Sequence, residues 1–110
     1  MLIYKIFRAN EWALLQKAGE TAGAPVDLAD GYIHFSTAET VAETAAKYFK
    51  CEDGLILVAV EADGLEPLKW EPAREGVLFP HLYRKLTMVD VVWSCPLPLV
   101  DGAHQFPELA

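Results

Sequence analysis

Over the first eight residues apolar side chains fall on alternate positions, Leu2, Tyr4 and Ile6 on one side and Ile3, Lys5 and Phe7 on the other. That period of two predicts a strand over residues 2–8. The pattern then changes. Asn10 is placed to cap a helix, Glu11 suits its first turn, Trp12 and Leu15 form its apolar stripe, and Gly19 stops it. From Gly19 to Gly31 the chain is rich in Ala, Gly, Asp and Pro without periodicity and reads as a long loop. Tyr32–Ser36 is a short strand of β-branched and aromatic residues. Ser36-Thr37-Ala38-Glu39 reads as a capping box for a helix burying Val41, Ala45 and Phe49, with Tyr48 beside them. Leu55–Val60, continuously apolar, predicts a central strand, and Asp63-Gly64 turns the chain toward a short strand at Leu68–Trp70. Pro72–Gly76 reads as a loop, Val77–Tyr83 as a strand broken by Pro80, and Val89–Ser94 as the last strand. The tail from Pro96 to Ala110, with its Asp101-Gly102 turn, is expected to pack as an extended cover. Strands outnumber helices and the crossovers are too short for parallel pairing, so the fold class is α+β.

Composition narrows the function classes. A chain of 110 residues, 53% hydrophobic, suits one domain spanning 1–110. Surface scaling has it burying about two-thirds of its unfolded area, enough for a core without metal or disulfide staples. Sixteen acidic against nine basic side chains leave a net charge of −7, which argues against nucleic-acid and anionic-membrane partners. No apolar run approaches the ~20 residues of a membrane span, and the N-terminus lacks the features of a signal peptide. Cys51 and Cys95 then read as reduced thiols in a cytoplasmic protein, a monomer by default.

Candidate chemistry gathers on two strands. If Ile33 and Phe35 point inward, Tyr32, His34 and Ser36 share the opposite face. That strand leads into a helix start, where Thr37 and free amides suit an anion, although Ser36 can instead be used as the cap. On the second strand Phe79, His81 and Tyr83 share a face, and Pro80 marks an edge or irregular strand near a cleft. Before it, Trp70, Glu71 and Arg74 offer an aromatic plate, a carboxylate and a guanidinium, which together could stack a ring, orient a ribose and clamp a phosphate. Arg84 and Lys85 complete the one basic concentration. His34, His81 and His104 have no metal-ligand spacing, so no metal is expected. No glycine-flanked nucleophile motif surrounds Ser36.

Ile-Tyr-Lys-Ile at 3–6, Asp-Gly-Tyr-Ile-His-Phe-Ser-Thr at 30–37, Lys-Trp-Glu at 69–71, Leu-Phe-Pro-His-Leu-Tyr at 78–83 and Asp-Gly-x-His-x-Phe-Pro at 101–107 closely resemble domain-of-unknown-function family 952, small bacterial proteins. The resemblance implies an ADP-ribosyltransferase-like fold of split antiparallel sheets with flanking short helices and a cleft that holds NAD in that fold. The first expectation is a small-molecule binding domain for a nucleotide or other phosphorylated ligand, contacted by Tyr32, Ser36, Thr37, Trp70, Arg74, Phe79, His81 and Tyr83. The second is an NAD-using ADP-ribosyltransferase or glycohydrolase with His34 and Glu71 in the chemistry. The third is a non-catalytic protein-interaction domain whose polar row is only a hydrogen-bond network.

Overall fold

The computed structural model describes residues 1–109, with Arg74 by its backbone alone. In chain order the elements are β1 (Leu2–Arg8), α1 (Ala9–Ala18), β2 (Glu20–Thr21), α2 (Pro25–Asp30), β3 (Ile33–His34), α3 (Val41–Tyr48), β4 (Leu55–Glu61), β5 (Leu68–Pro72), β6 (Leu78–Leu82), β7 (Leu86–Thr87), β8 (Val91–Leu97), β9 (Leu99–Val100) and β10 (Ala103–His104). Short 3₁₀ turns occupy Arg74–Gly76 and Met88–Asp90. Among the described residues every strand pairing is antiparallel, and the fold is α+β as the pattern predicts.

The first sheet has the order β1-β4-β8. Its middle strand is the continuous apolar run, and both of its faces are covered, which is why alternation is absent there. On one face Ile3, Phe7, Val58 and Val60 pack with Leu15 of α1 and with Ile33, Phe35 and Leu82 of the second sheet. On the other, Tyr4, Ile6, Leu57 and Ala59 pack with Val41 and Ala45 of α3 and with Phe106 and Leu109 of the tail. The tail is therefore a cover, as expected, and it also folds a small β9–β10 hairpin.

The second sheet has the order β3-β6-β5. Proline in a strand favours an edge, yet β6 is the middle strand. The register explains the exception. Phe35 donates its N–H to the Pro80 carbonyl at 3.0 Å, and proline has no N–H to return. One residue later the chain has left β6, and Ser36 exchanges two 2.8 Å backbone bonds with Tyr4 of β1. The missing donor thus falls at the seam where one strand passes from the second sheet to the first.

Helix ends differ from the sequence reading in three places. Helix α1 starts at Ala9, and the Glu11 carboxylate accepts the Arg8 N–H at 2.8 Å, so Arg8 rather than Asn10 is the cap position. The stretch from Gly19 to Gly31 is no structureless loop, because Pro25 at the first helical position and Gly31 at the stop bound α2. Helix α3 starts at Val41, with Thr40 rather than Ser36 at its cap. Residues 37–40 form a tight turn whose Thr37 N–H donates to Thr40 Oγ1 at 2.9 Å. The last long strand is Val91–Leu97, since residues 88–90 are a 3₁₀ turn.

Gly23 has φ +107°, and a Cβ there would lie 2.3 Å from Asp27 Oδ2. Gly23→Ala is expected to cost about 2 kcal/mol or more in urea denaturation. Gly31→Ala, at φ +83° with open space around it, is expected to cost about 1 kcal/mol.

Candidate functional site

The site begins at a side chain in α2. Asp27 is 1% exposed and all its acceptor capacity is used. One oxygen accepts the His34 backbone N–H at 3.0 Å and faces His34 Nδ1 at 2.6 Å. The other accepts the Ala24 N–H at 2.8 Å and pairs with Lys5 Nζ at 2.7 Å. Burial pushes the carboxyl up, but the His34 hydrogen bonds and the Lys5 charge outweigh it and hold Asp27 below the usual carboxylate range. His34 Nε2 faces a second carboxylate oxygen, Asp30 Oδ2, at 3.0 Å, so a carboxylate stands at each ring nitrogen.

A second network stands beside it on β5 and β6. The register pairs Lys69 with His81 and Glu71 with Phe79, which places Glu71 and His81 on one face. Glu71 Oε1 lies 2.8 Å from His81 Nδ1 and accepts the Tyr83 hydroxyl at 2.6 Å. Those two donors hold Glu71 below its ordinary value, and the same bond pushes the Tyr83 phenol up to about 12. Lys69 Nζ lies 5.0 Å from the Tyr83 ring centre, a cation–π contact. Tyr32 joins the two networks. Its ring centre is 4.6 Å from His34, 4.3 Å from His81 and 5.1 Å from Tyr83.

These groups border a cleft of about 750 Å³, large enough for a small molecule. Tyr32, His34, His81 and Asp30 form one part of its lining, and Lys5, Arg8, Tyr48 and Phe49 another. Its cations are matched by carboxylates: Lys5 by Asp27, and Arg8 by Glu52 at 2.7 Å. Ser36 Oγ lies 2.9 Å from Thr44 Oγ1, so that hydroxyl is tied to α3.

Of the residues singled out in the sequence, Tyr32, His34, Ser36, Phe79 and His81 all line the cleft. Glu71 and Tyr83 stand behind His81. Thr37 is buried within its turn. Trp70 pairs with Pro80 on the opposite face of the sheet and is 39% exposed, so it is no plate for a ligand in this cleft. The side chain of Arg74 lies outside the described residues, while Arg84 pairs with Asp90 and Lys85 with Glu20. The phosphate clamp expected of Arg74 thus lies outside the described residues, and the other two members of the basic concentration are engaged in ion pairs. Asp27, Asp30 and Lys5 are the site residues that sequence reasoning missed. The available signal was a Pro-x-Asp helix start closed by Gly31, which makes Asp27 and Asp30 helical neighbours. Among the described residues no three His, Cys, Asp or Glu side chains form a metal-binding group. No described helix is long and apolar enough to cross a membrane.

The profile of a family described as proteins of unknown function, DUF952, matches residues 6–94. The chain belongs to the DUF952 family. The matched span holds Asp27, His34, Glu71 and His81, and the β9–β10 hairpin lies beyond it. Among solved structures, the crystal structure of protein CC0527 from Caulobacter crescentus is similar at TM-score 0.91 and 48% identity, covering 96% of this chain and 94% of that one. A crystal structure of a double mutant of CC0527 gives 0.91 at 47% identity, with the same coverage. Its solution NMR structure gives 0.84 at 47% identity, covering 94% of this chain and 90% of that one. No curated protein matches the sequence.

Two measurements check the electrostatics. A carboxyl held low in the folded state adds stability above its unfolded value and loses it as pH falls through the folded one. Asp27→Asn is therefore expected to flatten the acid decline of unfolding free energy as pH falls below about 4, the unfolded carboxyl value. In an ultraviolet titration of the tyrosines, the Tyr83 step is expected near 12. Glu71→Gln should move it down toward the ordinary phenol value of about 10.

Proposed function

We propose that this DUF952 protein is a small cytoplasmic, monomeric domain that binds a nucleotide or related phosphorylated molecule in the cleft beside the sheet seam. The observation that carries the reading is the ring cluster of Tyr32, His34 and His81 on the cleft lining, each ring held by neighbours. Preorganised aromatic surface beside a few fixed polar groups is what a planar, hydrogen-bonding ligand requires. Two short antiparallel sheets meeting at a seam, with a cleft alongside, support the ADP-ribosyltransferase-like arrangement that the sequence resemblance implies.

A second reading, an NAD-using transferase or glycohydrolase, is favoured by the Glu71 carboxylate, held ionised by Tyr83 and His81. In glycohydrolysis the bond from ribose C1′ to the ring nitrogen breaks with its electron pair leaving on nicotinamide. Water supplies the new oxygen and releases a proton, and Glu71, which stands behind His81 and not on the cleft lining, would steady the cationic sugar only through the His81 ring it holds.

A thermal-shift screen of AMP, ADP, NAD, nicotinamide and sugar phosphates tests the first reading. At least one is expected to raise the melting temperature, and Tyr32→Ala and His34→Ala are expected to abolish that shift. No shift from any compound overturns it. Incubation with NAD separates the two: nicotinamide release that Glu71→Gln abolishes supports catalysis, and intact NAD supports binding alone.

A further inference from the structure

The polarity of the cleft wall follows from how its two histidines are held. Glu71 Oε1 stands at His81 Nδ1, and an ionised carboxylate can only accept. Nδ1 must therefore carry the proton, and in the neutral ring Nε2 is left as an acceptor. His81 lines the cleft and its ring is held by the Glu71 bond, so the orientation of that acceptor is fixed. His34 offers the ligand no donor, because Asp27 and Asp30 stand at its two ring nitrogens. What remains available at that end is Asp30, whose side chain is 45% exposed and lines the cleft. Charge points the same way. Lys5, Arg8 and the His34 ring, which meets an acceptor at both nitrogens, stand at the described site, and Asp27, Asp30, Glu11, Glu52 and Glu71 outnumber them around it.

We propose that beside the Tyr32 ring, whose hydroxyl can donate as well as accept, His81 and Asp30 present hydrogen-bond acceptors, and that this wall selects a ligand group that donates hydrogen bonds and is uncharged or cationic. The inference rests on the small-molecule reading of the cleft and deepens it. The phosphate of a nucleotide is turned away from this wall, and an amine, amide or hydroxyl of the ring or ribose meets it. Asp30 is the specificity-determining residue, since its carboxylate would repel an anionic group in the same place.

Two measurements test this, one independent of ligand. Nitrogen-15 NMR of the free protein at about pH 8 is expected to show His81 protonated at Nδ1 and bare at Nε2, a preference lost in Glu71→Ala. The reverse assignment overturns the inference. Then benzamidine and benzoate, planar ligands of near-equal shape and opposite charge, are titrated by NMR into the wild type and Asp30→Asn. Benzamidine is expected to bind about tenfold or more tighter than benzoate, and Asp30→Asn to reduce that ratio about fivefold. Benzoate binding the tighter, or a ratio unmoved in Asp30→Asn, overturns the inference while leaving a ligand site in place. Failure of both compounds, together with a blank nucleotide screen and the expected His81 tautomer, overturns the small-molecule function and supports the polarity of the wall.

Discussion

A single buried carboxylate ties together the parts of this molecule that come from distant stretches of sequence. Asp27 belongs to α2, Lys5 to the first sheet and His34 to the second, and Asp27 bonds to both while also accepting the Ala24 amide at the start of its own helix. An ion pair at this depth gains little net stability over apolar residues of the same volume, because desolvating both charges offsets their attraction. Its consequence is positional. With Lys5 in place Asp27 must face it, so α2 can pack in one orientation, and the ring of His34 is set by the same carboxylate. Removing either partner leaves a charge stranded where water does not reach, which costs about 3–5 kcal/mol.

The cleft inherits its geometry from that junction and from the seam beside it. Ser36 leaves the second sheet to pair with Tyr4, which brings the face bearing Tyr32 and His34 against the middle of β1. Across the same sheet, His81 lies opposite His34 in the register, and their ring centres are 5.3 Å apart. Each histidine is backed by a carboxylate from another element, Asp27 in one case and Glu71 in the other. A wall built this way is preorganised, because neither ring can rotate without breaking a hydrogen bond. The proposed ligand recognition and the fold's specificity would therefore draw on the same few contacts.

Much of this was legible in the sequence, for physical reasons that differ by element. The alternation on Tyr32–Ser36 placed Tyr32 and His34 on the cleft face, since period two leaves no other arrangement once Ile33 and Phe35 are inside. The unbroken apolar run at Leu55–Val60 announced a strand covered on both faces. Pro80 pointed to an edge or to an irregular strand near a cleft, and only the edge half fails: the partner strand departs at that residue instead, and Phe79 and His81 beside it line the cleft. Trp70 misled because its neighbour Glu71 is in the site, yet adjacent strand residues face opposite ways. The stretch from Gly19 to Gly31 hid the most. Asp27 is charged and lies in a segment without hydrophobic period, and its burial is decided by Lys5 some twenty residues earlier, a coupling that no local pattern reports.

Lys5 and Asp27 act as one unit at this junction, and a double-mutant cycle of Lys5→Met and Asp27→Asn measured by urea denaturation tests that directly. The junction described here predicts a coupling of about 2 kcal/mol or more, with the double variant less destabilised than the sum of the single ones. Additivity within about 0.5 kcal/mol would contradict it, because two residues that do not sense each other cannot hold the sheets and the cleft in register.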